Sequence, residues 1–240
     1  MNIFPISKIP QKFKYKVVNR IGSTYLGTIT HVITEKPYIA LTFDDGPDPE
    51  LTPKVLEILK KYNALGTFFM IGRNAKEYPQ IVKQVAQEGH TICNHSWDHP
   101  RFPEISSKER KRQIEKCSNV LNPYEVKIFR PPHCNQTIGS RIDIKKLGYS
   151  VVTANVEIRD WETDDADRMV NMLLQKVSVG SIILLHDALN SSPNRKRDGF
   201  LKALDTFLNT TQTHYQFKTL PELLQSGVPH KVNWILVKKR

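Results

Sequence analysis

The chain has 240 residues, enough for one large domain or two small ones, and its 39% hydrophobic and 25% charged content is that of an ordinary soluble globular protein. Its cysteines, Cys93, Cys117 and Cys134, are odd in number and show no CxxC spacing, which argues against a disulfide framework or a cysteine-rich zinc site; buried packing is the simpler role for them. The net charge of +11 is clustered at Lys8, Lys12, Lys14, Lys16 and Arg20, at Lys108, Arg110, Lys111 and Arg112, at Arg195-Lys196-Arg197 and at Lys238-Lys239-Arg240. Two readings stand for these clusters: a solvated surface, or weak attraction to a polyanion such as cell-wall polymer, anionic lipid or nucleic acid. No aromatic-interleaved basic motif singles out nucleic acid.

In chain order, the amino terminus has neither a seven-residue apolar core nor a small-residue cleavage site, so the sequence as written predicts a cytoplasmic protein unless another export route exists. Residues 1–36 read as a β-rich extension, with segments at 15–19 and 25–34 around Gly22. From Pro37 the pattern becomes strand then helix. Strand 38–43 leads to a helix from Thr52, with Thr52 as cap and Pro53 at its first position. Strand 66–71, helix 79–88 closed by Gly89, and strand 90–93 follow. Next come a basic helix at 106–121, strand 128–129, helix 138–147, strand 149–154, helix 164–176 and strand 181–185. The longest apolar run, 177–185, is too short to span a bilayer. Helix 199–208, a strand near 215–218 and a short helix at 220–226 close the unit. About seven βα repeats with polar residues at the strand ends describe a parallel α/β barrel or open sheet over 37–228, leaving 229–240 as a basic tail.

Chemistry concentrates where strands end. Asp44 and Asp45 lie at the end of an apolar strand stopped by Gly46-Pro47. Like charges this close are unfavourable unless a cation binds one of them, which leaves the other free to act as a base. His95 and His99, at i and i+4, are expected on one face of a helical turn, within reach of one ion. One carboxylate and two imidazoles with open positions left over make a catalytic rather than a structural metal site.

These stretches resemble the polysaccharide deacetylases with the NodB homology domain, carbohydrate esterase family 4, over residues 37–226. Thr42-Phe-Asp44-Asp45-Gly46, His95-Ser-Trp-Asp-His99 and Leu184-Leu-His186 match the family closely. Arg130-Pro-Pro-His133 has histidine where the family usually has an aromatic residue, and Glu157-Ile-Arg-Asp160-Trp161 has glutamate where it usually has aspartate. The resemblance implies an irregular (β/α) barrel and N-deacetylation of N-acetylglucosamine polymers such as peptidoglycan or chitin-type oligomers. It implies Asp45, His95 and His99 as ligands of a divalent ion, zinc first, with cobalt, nickel or manganese as substitutes. Asp44 would be the general base, aimed by Arg130, and His186 the general acid, supported by Asp160. His133, Trp161 and Leu184 would contact substrate, with a backbone N–H near His133 among the groups facing the oxyanion. Other readings stay open at this stage: a small-amide or imide hydrolase of the same fold, or an inactive carbohydrate-binding relative. An iron oxygenase with two histidines and a carboxylate is disfavoured, because such sites sit on antiparallel β folds.

Overall fold

Residues 26–189 and 196–232 are described in the computed structural model; the expected strand at 15–19, the first and last basic clusters and Arg195 lie outside them. The described part opens with β1 (Thr28–Ile33) and β2 (Tyr38–Asp44), then α1 (Leu51–Lys61), β3 (Gly66–Met70), α2 (Gly72–Glu77), α3 (Pro79–Gln87) and β4 (Thr91–Asn94). It continues through α4 (Ser107–Leu121), β5 (Glu125–Phe129), α5 (Ile138–Lys146), β6 (Ser150–Val151), β7 (Val156–Glu157) and α6 (Ala166–Lys176). It ends with β8 (Ile182–His186), α7 (Asp198–Thr211), β9 (Gln216–Phe217), α8 (Leu220–Gln225) and β10 (Val228–Val232).

Seven strands pair in the order β6-β5-β4-β3-β2-β8-β7, all parallel, and β9 adds to the start of β2. This curled half-barrel is the parallel α/β architecture the alternation predicts. β2 and β3 are apolar runs without polar alternation because both of their faces are covered. Ile39, Leu41 and Phe43 of β2 pack with α1, α3, α6 and α7. Ala40, on the other face, joins Phe69, Cys93, Ile128 and Ile182 in a second cluster closed by Ile29 and Val32 of β1 and Leu220 and Leu223 of α8. Period-two alternation thus divides one strand between two cores.

β1 pairs antiparallel with β10, so residues 229–232, assigned from sequence to a basic tail, form part of a strand beside the start of the described chain. Local details differ from expectation elsewhere. Thr52 is not the cap of α1: Asp48 Oδ1 accepts the N–H groups of Glu50 and Leu51, while Thr52 lies inside the helix. The strand expected at 149–154 stops at Val151, because Val152 turns to bridge Ile29 of β1. Short α2 carries no apolar periodicity and was not expected. Among the described residues no helix is long and apolar enough to cross a membrane.

Candidate active site

Register sets the site at the carboxyl edge of the sheet. Asp44 of β2 lies directly beside His186 of β8, and β4 and β5 end just before His95 and Arg130. Parallel strands deliver their C-terminal residues to one rim, where loops can collect them. Asp44, Asp45, His95, His99, His133, Trp161, Leu184 and His186 line one cavity of about 400 Å³ there, with Cys134, Glu157 and Leu189 completing its wall. All three residues expected to contact substrate therefore face the same space as the expected metal ligands.

His95 Nε2 and His99 Nε2 approach Asp45 Oδ1 at 3.5 and 3.4 Å, and one donor atom from each of the three residues lies within 4.8 Å of the others. The His95 Nδ1–H donates to the Arg130 carbonyl at 2.8 Å, which leaves the Nε2 lone pair directed at the cluster. Burial holds both imidazoles neutral, His95 down to about 3 and His99 down to about 2, with neighbouring cations and histidines adding to the effect. Two neutral imidazoles, that of His95 with its tautomer fixed, beside a carboxylate fit a divalent ion. The histidines do not share a helical face. Residues 95–99 are a loop with φ of +70° at Ser96 and +63° at His99.

Asp45 is itself left-handed, at φ +77°, as are His133 and Cys134 on the cavity wall. Each such residue costs on the order of 1–3 kcal/mol unless its surroundings hold it. For Asp45 those surroundings are visible. Asn74 Nδ2 donates to its carbonyl at 2.8 Å, and Ile71 N–H donates to the next carbonyl, Gly46 O, at 2.9 Å. Asp187, fully buried, packs under Gly46, where an added Cβ would lie 2.2 Å from Asp187 Oδ2. Thr52 Oγ1 donates to that same carboxylate at 2.6 Å and accepts from Asp48 N–H at 2.8 Å. The turn after the two aspartates is thus clamped from α1 and from β8.

Arg130 is wholly buried. Its Nη1 donates to Asp44 Oδ1 at 2.6 Å and its Nη2 to the Thr153 carbonyl at 2.9 Å, while the guanidinium lies 4.0 Å over the Phe69 ring. This leaves Asp44 Oδ2 on the cavity side, 3.8 Å from His95 Nε2.

Across the cavity, His186 Nδ1 donates to Asp160 Oδ1 at 3.0 Å, and the His186 backbone N–H donates to Asp160 Oδ2 at 3.0 Å. Burial alone would lower the imidazole, but the Asp160 carboxylate, with Asp45 and Asp44 farther off, brings it up to about 9. Burial likewise opposes the charge on Asp160, and His186 and Arg197 overcome it to hold that carboxyl below its ordinary range.

Arg197 was counted from sequence with an exposed basic triplet. It is buried, with Nη2 donating to Asp160 Oδ2 at 2.6 Å and to the His186 carbonyl at 2.8 Å. No spacing in the sequence distinguishes it from its neighbour Lys196. Arg110, also counted with a surface cluster, pairs with Asp143 at 2.8 Å and donates to backbone carbonyls. His133 stacks obliquely on His99, ring centroids 4.4 Å apart, and Trp161 sets its ring edgewise to His186 at 5.0 Å.

A carboxylate and two neutral imidazoles on one side, a charged acid on the other and an arginine-held carboxylate between them define a metal-assisted hydrolase on a curled α/β sheet. The family is more specific. A sequence model of the polysaccharide deacetylases matches residues 31–152. A peptidoglycan-N-acetylglucosamine deacetylase of Bacillus cereus is 37% identical over 200 residues, covering 82% of this chain and 71% of that protein. A chitooligosaccharide deacetylase of Azorhizobium caulinodans is 40% identical over 166 residues, covering 68% of this chain and 79% of that one. A crystal structure of a peptidoglycan N-acetylglucosamine deacetylase, in complex with 4-naphthalen-1-yl-N-oxidanyl-benzamide, superposes with a TM-score of 0.80 at 33% identity, covering 89% of this chain and all of that one. The chain belongs to the polysaccharide deacetylase family.

Proposed function

We propose that this protein hydrolyses N-acetyl groups from N-acetylglucosamine units of a polysaccharide, with peptidoglycan placed before chitin-type oligomers. The arrangement of Asp44, Asp45, His95, His99 and His186 around one cavity, with Arg130 buried behind Asp44, carries this reading, because binding alone requires neither a base nor an acid. Peptidoglycan comes first because the peptidoglycan-active relative covers more of this chain than the chitooligosaccharide-active one.

Asp45, His95 and His99 would hold a divalent ion, zinc first on the chemistry of the donor set, with cobalt, nickel or manganese as substitutes. When bound, the ion supplies Lewis-acid polarisation of the acetyl carbonyl and makes water more acidic. Asp44 accepts the proton of the attacking water at Oδ2, while Arg130 grips Oδ1 and fixes the direction of transfer. His186, held by Asp160 at Nδ1, presents Nε2 to the departing nitrogen and donates its proton there. Trp161 and Leu184 wall a slot for the acetyl methyl, and His133 offers a polar edge to the sugar where an aromatic face would otherwise lie.

The deciding experiment loads the protein with each metal in turn and measures acetate released from peptidoglycan, chitin oligomers and small amides. Acetate from the polymers with a matching rise in free amine is expected. Turnover confined to small amides would transfer the site to the small-molecule branch of the fold.

Part of the +11 charge serves the interior, since Arg130, Arg141 and Arg197 are buried. The remainder would give a weak, electrostatic attraction to a polyanionic wall polymer. Pelleting with isolated walls should then weaken steeply as ionic strength rises through the range where the Debye length shrinks from about 10 to about 3 Å. Binding indifferent to salt would reduce the charge to surface solvation.

A further inference from the structure

The loop that carries His99 has no ladder partner and no helical hydrogen bonding, so its course is set by side-chain acceptors and by backbone contacts from the start of α2. Four consecutive N–H groups show how. Ser96 N–H donates to Asn94 Oδ1 at 2.9 Å and His99 N–H to Ser96 Oγ at 3.2 Å. The two between them, Trp97 N–H and Asp98 N–H, both donate to Gln113 Oε1, at 3.0 and 3.1 Å. Gln113 comes from α4, is 2% exposed, and is itself anchored by its Nε2 donating to Glu109 Oε1 at 3.0 Å. On the far side, the Gly72 and Arg73 N–H groups at the start of α2 donate to the Ser96 and Trp97 carbonyls, each at 2.9 Å.

We propose that Gln113 is a positioning residue for the metal site: its amide fixes the path of residues 96–98 and so places the His99 imidazole opposite Asp45. This rests on the reading of Asp45, His95 and His99 as metal ligands. The chemistry explains why the position needs an amide. It must accept from two loop N–H groups with one atom and donate to Glu109 with the other, and glutamine is the side chain of that length with both capacities. A glutamate would set its second oxygen against Glu109 Oε1, where two carboxylates repel each other and push the side chain off the loop. Loss of the pair of acceptor contacts releases the turn at Ser96 and His99, whose left-handed φ values need external support.

The arrangement predicts an asymmetric mutational pattern that simple loss of packing does not give. Zinc affinity of the purified full chain, measured near neutral pH by competition with a chromophoric chelator, is the readout, with the thermal midpoint as a check on folding. Gln113→Glu should weaken zinc binding by about 10- to 100-fold, the range for groups that orient a ligand. Glu109→Gln keeps an acceptor for Gln113 and gives up only part of an exposed ion pair with Arg112, so it should stay within about twofold of the parent. Gln113→Met, near in size and uncharged, should show a loss of the same order and carries the test if Gln113→Glu fails to fold. Undiminished zinc affinity in Gln113→Glu and Gln113→Met would overturn the proposal. A parent chain that binds no zinc would overturn it together with the metal assignment, whereas a parent that binds zinc while the single variants match it overturns this inference alone.

Discussion

Asp45→Asn will empty the metal site, whereas Asp44→Asn will keep the metal and lose most turnover. The two carboxylates are adjacent in sequence and share one cavity, but their partners differ. Asp45 Oδ1 faces both His95 Nε2 and His99 Nε2, and its amide counterpart offers those histidines a poorer ligand for a cation. Asp44 is held by Arg130 at Oδ1, and an asparagine can still present a carbonyl oxygen to that guanidinium. What it loses is the basic oxygen on the cavity side. Removal of a general base typically lowers the rate about 10²- to 10⁴-fold. Metal content after dialysis, set beside acetate release, separates the variants, and equal metal loss in both would merge the two roles. Thermal stability should fall in Asp44→Asn as well, because Arg130 has no solvent exposure and loses its counter-charge; breaking such a pair outright costs about 3–5 kcal/mol, and the remaining hydrogen bond keeps the loss below that.

How much of this was legible in the sequence depends on whether the controlling contact is local. β2, β3 and β8 are apolar runs with punctuation at both ends, and the alternation of strands and helices puts Asp44, Asp45, His95, Arg130 and His186 at the ends of β2, β4, β5 and β8, on one rim. The histidine loop was misread because spacing of i and i+4 reports a helix only where the backbone makes its own hydrogen bonds. Here Gln113, Asn94 and the start of α2 make them instead, from up to 24 positions away in the case of Gly72 and Ser96. Arg197 was hidden for a similar reason: a charge in a basic triplet looks solvated until the Asp160 carboxylate is seen facing it. Thr52 shows the reverse error. Its hydroxyl was assigned the nearest local task, a helix cap, but it is committed to buried Asp187 and to the backbone of Asp48. Arg197 and Thr52 each satisfy a buried carboxylate that is remote in sequence, and the histidine loop is in turn satisfied by Gln113 from another helix.

His186→Ala will damage acetate release from an N-acetyl sugar far more than from an activated aryl acetate. An amine leaves poorly unless it is protonated as the bond breaks, whereas a phenoxide leaves without help, so only the amide demands the acid. The acid is available at neutral pH because Asp160 and Arg197 support it in sequence: Arg197 fixes Asp160, and Asp160 holds His186 Nδ1 and brings the imidazole up to about 9 despite burial. The sign follows from the role. The protonated form is the active one, so turnover of the N-acetyl substrate should persist at neutral pH and fall on the alkaline side, where the imidazole that Asp160 holds above its ordinary range loses its proton. The same shift contributes to folding. A group raised from an unfolded value of about 6.5 lends stability that is complete below 6.5 and is lost as pH rises through about 9. Asp160→Asn removes the main opposition to burial, so the alkaline limb should move to lower pH. Equal loss on amide and aryl ester in His186→Ala, together with an unmoved limb in Asp160→Asn, would leave His186 as a wall of the cavity and return the proton to solvent.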